Sequence, residues 1–278
     1  MKKYITVLLS VFLMISVLGG CKSETLPSES TQPPTALSAS QAATVGTEQQ
    51  PKTEATVQPV TQAATQAVTQ PPAAVDPSWF DDAVFIGDSV TVALDYYCAS
   101  DPDILGNAQF VCGVSLGYHN ALWPIDSEYA VHPTYQGEVV LAETAAAVTS
   151  AKKVFIMLGV NDIGTYGADD TMDTAAELVD RILACTPDVD IYMQSTTPMV
   201  DERESDWLNN DKISGFNSQL KAYCTEKGYH FIDVYHQVCN DEGDLKEDYC
   251  SDIDVQGIHF TNQGCSVWAE YLKTAAAV

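Results

Sequence analysis

The sequence predicts an α/β domain built on a parallel sheet, and two patterns within residues 77–278 support this. Short apolar runs recur along this stretch, and longer amphipathic segments lie between them. Strands that are apolar throughout are buried on both faces, which requires helices on both sides of the sheet. In such sheets the ligand site lies beyond the carboxyl ends of the strands.

Each of the five predicted strands is a short apolar run that ends at a glycine or a polar turn. They cover residues 83–86, 109–112, 153–158, 190–194 and 230–234. Glycine follows each of the first three, as Gly87, Gly113 and Gly159, and a Thr-Thr-Pro turn lies just beyond the fourth. These residues end a strand because they favour turns.

Helices are predicted in the amphipathic segments that connect the strands. They cover residues 139–149, 171–185, 213–227 and 262–275. Asp169 and Asp170 lie before the second of these helices, where negative charge complements the helix dipole. A glycine-containing turn over residues 87–89 leads from the first strand into a further helix.

The first 20 residues predict a secretory signal peptide. Lys2 and Lys3 precede an apolar run over residues 4–17, which is short for a membrane span. Residues 18–21, LGGC, resemble a bacterial lipobox, in which the cysteine is acylated and becomes the new N-terminus. This implies a lipid anchor at Cys21 that holds the protein at the extracellular face of the bacterial membrane. An ordinary signal peptide is the alternative.

Residues 21–76 predict a disordered tether behind this anchor. From residue 22 onward the segment has no aromatic residue and consists mainly of Thr, Gln, Ala, Pro and Ser. Such a composition buries too little apolar surface to offset the entropy cost of ordering the chain. The folded domain is therefore expected over residues 77–278.

The charge of the chain excludes some partners. It has 13 Lys and Arg residues against 38 Asp and Glu residues, a formal net charge of −25. Such a charge repels both nucleic acid and anionic lipid surfaces. We expect no nucleic-acid partner, and membrane contact only through the lipid anchor.

The cysteines do not indicate a metal site. Cys21 is one of eight, and the other seven show no CxxC spacing and no Cys/His pattern typical of zinc. We expect no bound metal and mostly buried free thiols. If one disulfide forms, Cys239 and Cys250 are the first candidates, because they flank a short polar loop.

Four residues with hydrolase chemistry occupy corresponding places along the chain. Ser89, Gly113 and Asn161 follow the first three strands, and His259 precedes the last helix. A serine nucleophile needs a base within hydrogen-bond reach and donors for the developing oxyanion. We predict Ser89 as nucleophile, His259 as base, and the Gly113 N–H and Asn161 amide as oxyanion donors.

At these residues the chain resembles the SGNH (GDSL) hydrolases, from about Val84 to the C-terminus. Residues 85–89 (FIGDS) are similar to the block that carries the nucleophile, and Gly113 to the glycine of the second block. Residues 158–162 (LGVND) and 257–261 (GIHFT) resemble the third and last blocks. The resemblance implies a three-layer α/β/α flavodoxin-like sandwich with a five-stranded parallel sheet, an acyl-serine intermediate and no cofactor.

One position departs from the family pattern. The family usually has an acid three residues before the histidine, and this chain has Gln256 there, with Asp252 and Asp254 nearby. That acid normally fixes the tautomer of the base. Three hypotheses remain: Asp254 completes a triad, Gln256 or a backbone carbonyl supports a dyad, or the domain only binds. The spacing favours Gln256 over Asp254.

We expect a cell-surface serine esterase that hydrolyses small acyl esters, with O-acetyl groups on carbohydrate as the leading substrate. The alternatives are a noncatalytic glycan-binding domain on a stalk, and a lipase or thioesterase of the same fold. Aromatic residues between positions 118 and 135 bear on this choice. They could form a wall beside the site, or pin a long loop to the domain.

Overall fold

The computed structural model describes residues 73–276. The strands are β1 (Ala83–Gly87), β2 (Gln109–Cys112), β3 (Thr134–Tyr135), β4 (Glu138–Val139), β5 (Lys153–Met157), β6 (Asp190–Gln194) and β7 (His230–Ile232). The α-helices are α1 (Ser89–Cys98), α2 (Tyr118–Ala121), α3 (Ala145–Thr149), α4 (Ile163–Cys185), α5 (Asn210–Lys227), α6 (Tyr235–Val238) and α7 (Asn262–Ala275). Short 3-10 helices cover Pro77–Phe80, Ala142–Thr144, Asp201–Arg203 and Glu247–Tyr249. The expected signal peptide, the Cys21 anchor and nearly all of the expected tether lie outside the described residues.

Five strands form one parallel sheet in the order β2-β1-β5-β6-β7. Counting only these five strands, this is the 2-1-3-4-5 order of flavodoxin-like folds. The predicted five-stranded parallel sheet is therefore confirmed. The remaining two strands, β3 and β4, form a separate antiparallel hairpin.

The sheet separates two apolar cores. Side chains alternate along each strand, so Val84 and Ile86 enter one core while Phe85 enters the other. The first core includes buried residues of α2, α3, α4 and α5, and the second includes those of α1 and α7. This gives the expected three layers, with helices on both faces of the sheet.

Several predicted boundaries differ from the structure. The predicted helix over residues 139–149 is wrong at its start, because Val139 pairs with Thr134 in the hairpin. Helix α4 begins at Ile163 rather than at residue 171, and Gly167 interrupts it with a φ of +82°. The last strand ends at Ile232, two residues earlier than predicted.

Cys239 and Cys250 are not joined, contrary to the expected disulfide. All seven cysteines of the described region are free. Cys239 instead makes a β-bridge with Leu245, and Cys250 with Phe260. No helix within residues 73–276 has the length and apolar character needed to cross a membrane.

Candidate active site

Ser89 lies where β1 turns into α1. Asp88 caps the helix, because its carboxylate accepts a hydrogen bond of 2.9 Å from the N–H of Val90. Gly87 fits here because a Cβ atom would lie 1.9 Å from the Thr91 hydroxyl oxygen. Ser89 is the first helical residue and is partly exposed, so its hydroxyl is accessible at the carboxyl edge of the sheet.

His259 approaches Ser89 from the loop before α7. Its Nε2 lies 2.9 Å from the Ser89 Oγ, and its Nδ1 lies 2.7 Å from Oδ2 of Asp252. The three side chains thus form a continuous hydrogen-bonded chain in the order serine, histidine and aspartate. This is the arrangement that serine hydrolases use to activate a nucleophile.

Asp252 determines which tautomer His259 adopts. Its Oδ1 accepts hydrogen bonds from the N–H groups of Ile258 and His259, at 3.1 and 3.0 Å. Partial burial raises the pKa of Asp252, but hydrogen bonds from the His259 ring and N–H and from the Cys250 thiol outweigh this, so the pKa is lowered. An ionised carboxylate only accepts hydrogen bonds, so Nδ1 donates to it and Nε2 is left to accept the serine proton.

The prediction that Gln256 or Asp254 orients His259 is therefore wrong, because Asp252 does so. Within the described part of the chain, neither of the two has a hydrogen bond to the His259 ring. The Asp254 side chain is fully exposed and lies 3.7 Å from Nη2 of Arg203. Gln256 is exposed and lines a neighbouring cavity. The family's usual spacing does not hold here, because the turn after Asp252 brings that residue back to the ring.

Two observations explain this turn. The Asp252 carbonyl accepts hydrogen bonds from the N–H groups of Val255 and Gly257, at 2.8 and 3.1 Å. Gly257 adopts a φ of +70°, which favours glycine, and a Cβ there would lie 2.5 Å from Val200. The loop closes over these residues, and the carboxylate of Asp252 then faces the imidazole.

Asn161 lies after β5, as expected. One hydrogen of its Nδ2 is donated to the carbonyl of Leu116 at 3.0 Å, which orients the amide and leaves the second hydrogen free to bind an oxyanion. Gly159 precedes it with a φ of +118°, and a Cβ there would lie 2.7 Å from the Thr196 hydroxyl oxygen.

Gly113 does not offer a free donor in this structure. Its N–H donates to the carbonyl of Gly87 at 3.0 Å and so continues the ladder between β1 and β2. The prediction that the Gly113 N–H binds the oxyanion is therefore wrong, because this N–H is already paired. The N–H of Ser89 is a better candidate, because first-turn N–H groups of a helix have no intrahelical partner.

The loop that carries Leu116 is held by Asp162, which the sequence did not single out. Asp162 is buried and accepts hydrogen bonds from the N–H groups of Tyr118 and His119, at 2.9 and 3.1 Å. The His119 ring also contacts Asp162 and stacks on Tyr166 with 3.6 Å between ring centroids. Tyr118 and His119 thus serve to pin the loop, whereas Tyr129 is 76% exposed.

A cavity of about 200 Å³ lies beside the candidate site. It is lined by Val160, Asn161, Arg203, Trp207, Leu208, Val255, Gln256 and Ile258. The cavity is next to the active site because two of these lining residues belong to it or adjoin it. Asn161 is the candidate oxyanion donor, and Ile258 is followed directly by His259. No group of His, Cys, Asp and Glu side chains within residues 73–276 is arranged to hold a metal ion.

The buried Asp88 gives a testable pH dependence of stability. Burial raises the pKa of Asp88 from its ordinary value of 3.8 to about 7, and the negative charge of Asp162 adds to this. Between these two pKa values the native state binds more protons at this position than the unfolded state does. Asp88 should therefore lower the stability of the domain as the pH rises from about 4 to about 7.

Replacing Asp88 by Asn should reduce this loss while keeping the helix cap, because Asn caps as well as Asp does. We expect Asp88→Asn to raise the Tm at pH 8 by at least about 2–4 °C, the shift that about 1 kcal/mol gives in a domain of this size. The measurement is Tm between pH 4 and 8, with Asp254→Asn as the exposed control. If Tm changed with pH to the same extent in wild type and in Asp88→Asn, the conclusion that the buried Asp88 resists ionisation would be wrong.

Comparison with known proteins identifies the class to which this fold and site belong. The sequence profile of the GDSL-like lipase/acylhydrolase family matches residues 85–267, which is more than half of the chain. The chain therefore belongs to the GDSL-like lipase/acylhydrolase family, which supports an ester hydrolase. No curated protein sequence matches the chain significantly.

Solved structures agree with this fold. One neighbour is a proposed platelet activating factor from Streptococcus pneumonia, with 19% identity and a TM-score of 0.52, covering 69% of this chain and 82% of that one. A GDSL-like lipase from Bacteroides thetaiotaomicron has 18% identity and a TM-score of 0.50, covering 72% and 90%. A proposed acylhydrolase from Bacteroides fragilis has 20% identity and a TM-score of 0.51, covering 69% and 85%.

Proposed function

We propose that the chain is a cell-surface serine esterase that removes small acyl groups, in particular O-acetyl groups from carbohydrate, through an acyl-serine intermediate. The observation that carries the proposal is the hydrogen-bonded chain from Ser89 through His259 to Asp252. The extracellular location and the anchor at Cys21 rest on the lipobox-like sequence at residues 18–21.

In the acylation step, the Ser89 oxygen attacks the ester carbonyl carbon while its proton moves to Nε2 of His259. The carbonyl electron pair moves onto the oxygen, where the free hydrogen of the Asn161 amide and the N–H of Ser89 stabilise it. Collapse of this intermediate breaks the bond to the alcohol oxygen. His259 returns its proton to that oxygen, so the alcohol leaves and the acyl group stays on Ser89.

Deacylation repeats these transfers with water. His259 removes a proton from the water as the water oxygen attacks the acyl carbon. The bond to the Ser89 oxygen then breaks, the serine regains the proton from His259, and the carboxylic acid leaves. Asp252 keeps its charge throughout and stabilises the imidazolium in both steps.

A series of alkyl esters tests the acyl preference. We expect ethyl acetate to be hydrolysed with a higher kcat/KM than ethyl hexanoate or ethyl decanoate, measured with the full chain by release of acid. A fluorophosphonate should label wild type and not Ser89→Ala. A clear preference for the long acyl chains would replace the acetylesterase hypothesis by the lipase alternative, and no labelling with no turnover would refute the esterase altogether.

The glycan-binding alternative has lost the observation that motivated it. It depended on the absence of an acid at position 256. Asp252 supplies an acid beside the His259 ring instead. Ser89 and His259 are also within hydrogen-bond distance, which a purely binding domain does not need. The esterase is therefore the function that the geometry supports best.

A further inference from the structure

The cavity lined by Trp207 and Arg203 is larger than the proposed acyl group requires. Its volume is about 200 Å³. An acetyl group would occupy a small part of this space. The volume is below the range of about 300–1,000 Å³ typical of sites for drug-sized ligands, and a single sugar ring is small enough for it.

The Trp207 indole forms an accessible aromatic wall. Trp207 is 55% exposed although its side chain is one of the largest apolar groups. The indole lies against Gly164, where a Cβ atom would be 2.6 Å from the nearest ring atom. Helix α4 thus holds the indole in place and leaves part of it open to a ligand.

The same cavity offers hydrogen-bonding groups. Asn161, Gln256 and Arg203 contribute amide and guanidinium donors, and the residues that line the cavity include no carboxylate, although the chain has 38 acidic residues. An alkyl chain in this space would leave these donors facing an apolar group, which is unfavourable. A sugar ring has an apolar face for the indole and hydroxyl groups for the donors.

Arg203 is fixed by several contacts. Its Nε donates to the carbonyl of Ile253, and its side-chain carbons limit the space beside Gly257, where a Cβ would lie 2.7 Å from Cγ of Arg203. Asp254 is near its Nη2 but fully exposed, so this ion pair is weak. The guanidinium is therefore held at the cavity with N–H donors to spare.

We propose that this cavity binds the sugar ring that carries the ester, with the ring stacked on Trp207 and its hydroxyl groups hydrogen-bonded to Arg203 and Gln256. The proposal rests on the esterase function and adds the residues that select the alcohol part of the substrate. Trp207 would then determine specificity for esters of sugars. It would have little effect on esters of small alcohols.

Three substrates separate the two parts of an ester. A mono-O-acetylated methyl glucopyranoside tests the sugar, ethyl acetate tests the acetyl group alone, and ethyl hexanoate tests a longer acyl chain. Each is measured with wild type, Trp207→Ala and the matched control Trp207→Phe, which keeps an aromatic wall. We expect Trp207→Ala to lower kcat/KM for the sugar ester by about tenfold or more, mainly through KM, with most of the activity kept in Trp207→Phe.

Ethyl acetate should be hydrolysed by all three proteins within about twofold, because its alcohol part has no ring that could stack on the indole. Equal losses on ethyl acetate and the sugar ester would overturn the proposal and assign Trp207 a structural role. A selective change on ethyl hexanoate with none on the sugar ester would also overturn it, because the cavity would then hold the acyl chain.

A binding measurement keeps this proposal separate from the catalytic one. Ser89→Ala and Ser89→Ala/Trp207→Ala are compared for saturation-transfer NMR signals of the acetylated glucopyranoside. Signals in the first protein and a marked loss in the second support the sugar site even if wild type hydrolyses no ester. Equal signals in both proteins, or none in either, overturn it even if the esterase activity is real.

Discussion

Replacing Ser89 or His259 by Ala should each lower kcat by on the order of 10⁶-fold, the loss known for the serine or histidine of a triad that acts as a unit. Without the Ser89 oxygen no acyl-enzyme forms. Without the His259 ring the serine keeps its proton, because the Nε2 acceptor at 2.9 Å is gone. The double variant should be little worse than either single one. Steady-state hydrolysis of ethyl acetate checks this.

His236 provides a matched control for this experiment. Its Nδ1 lies 2.8 Å from Asp233, so it also forms a His–Asp pair, but no serine hydroxyl has a hydrogen bond to it within residues 73–276. His236→Ala should keep kcat near the wild-type value, and all variants should keep the wild-type Tm. Losses in the two single variants that multiply in the double variant would contradict joint action of Ser89 and His259.

The sheet could be predicted from the sequence because local information specifies it. Each central strand is a short run of apolar residues, and Phe155 and its neighbours are completely buried as such a run requires. Glycines after the strands then indicate where side chains can gather at the carboxyl edge. Ser89 and His259 lie together there although 170 positions separate them, because both belong to that edge.

The orienting acid could not be predicted in the same way. The hypothesis that Gln256 or Asp254 contacts the ring relied on spacing along the chain, and the loop does not preserve it. Asp252 reaches His259 because the turn ending at Gly257 folds back, and contacts with Arg203 from a distant segment help to hold that turn. Such contacts depend on tertiary structure, so no local pattern predicts them.

The same reason applies to the oxyanion donors. Gly113 matches the family pattern by position, yet whether its N–H is free depends on the carbonyl of Gly87 in the neighbouring strand. The role of Asp162 is likewise decided by a loop more than forty residues away, whose N–H groups it accepts. Both observations concern hydrogen bonds between segments that are distant in the sequence, so no local sequence pattern predicts them.

Asp252→Asn should lower kcat by about 10⁴-fold, the loss that a wrong imidazole tautomer causes in a serine hydrolase. The Asn side chain has nearly the same shape and can still accept the N–H groups of Ile258 and His259 through its oxygen. Its nitrogen, however, would donate to Nδ1, which places the ring proton on Nε2 and removes the acceptor for the Ser89 proton.

Asp254→Asn is the matched control for that variant, because it makes the same chemical change two residues away on a fully exposed side chain. We expect its kcat on ethyl acetate to stay near the wild-type value, and Gln256→Asp to change kcat little, since Asp252 already supplies the charge. A large loss in Asp254→Asn, or an unchanged rate in Asp252→Asn, would instead favour the triad through Asp254 or the dyad.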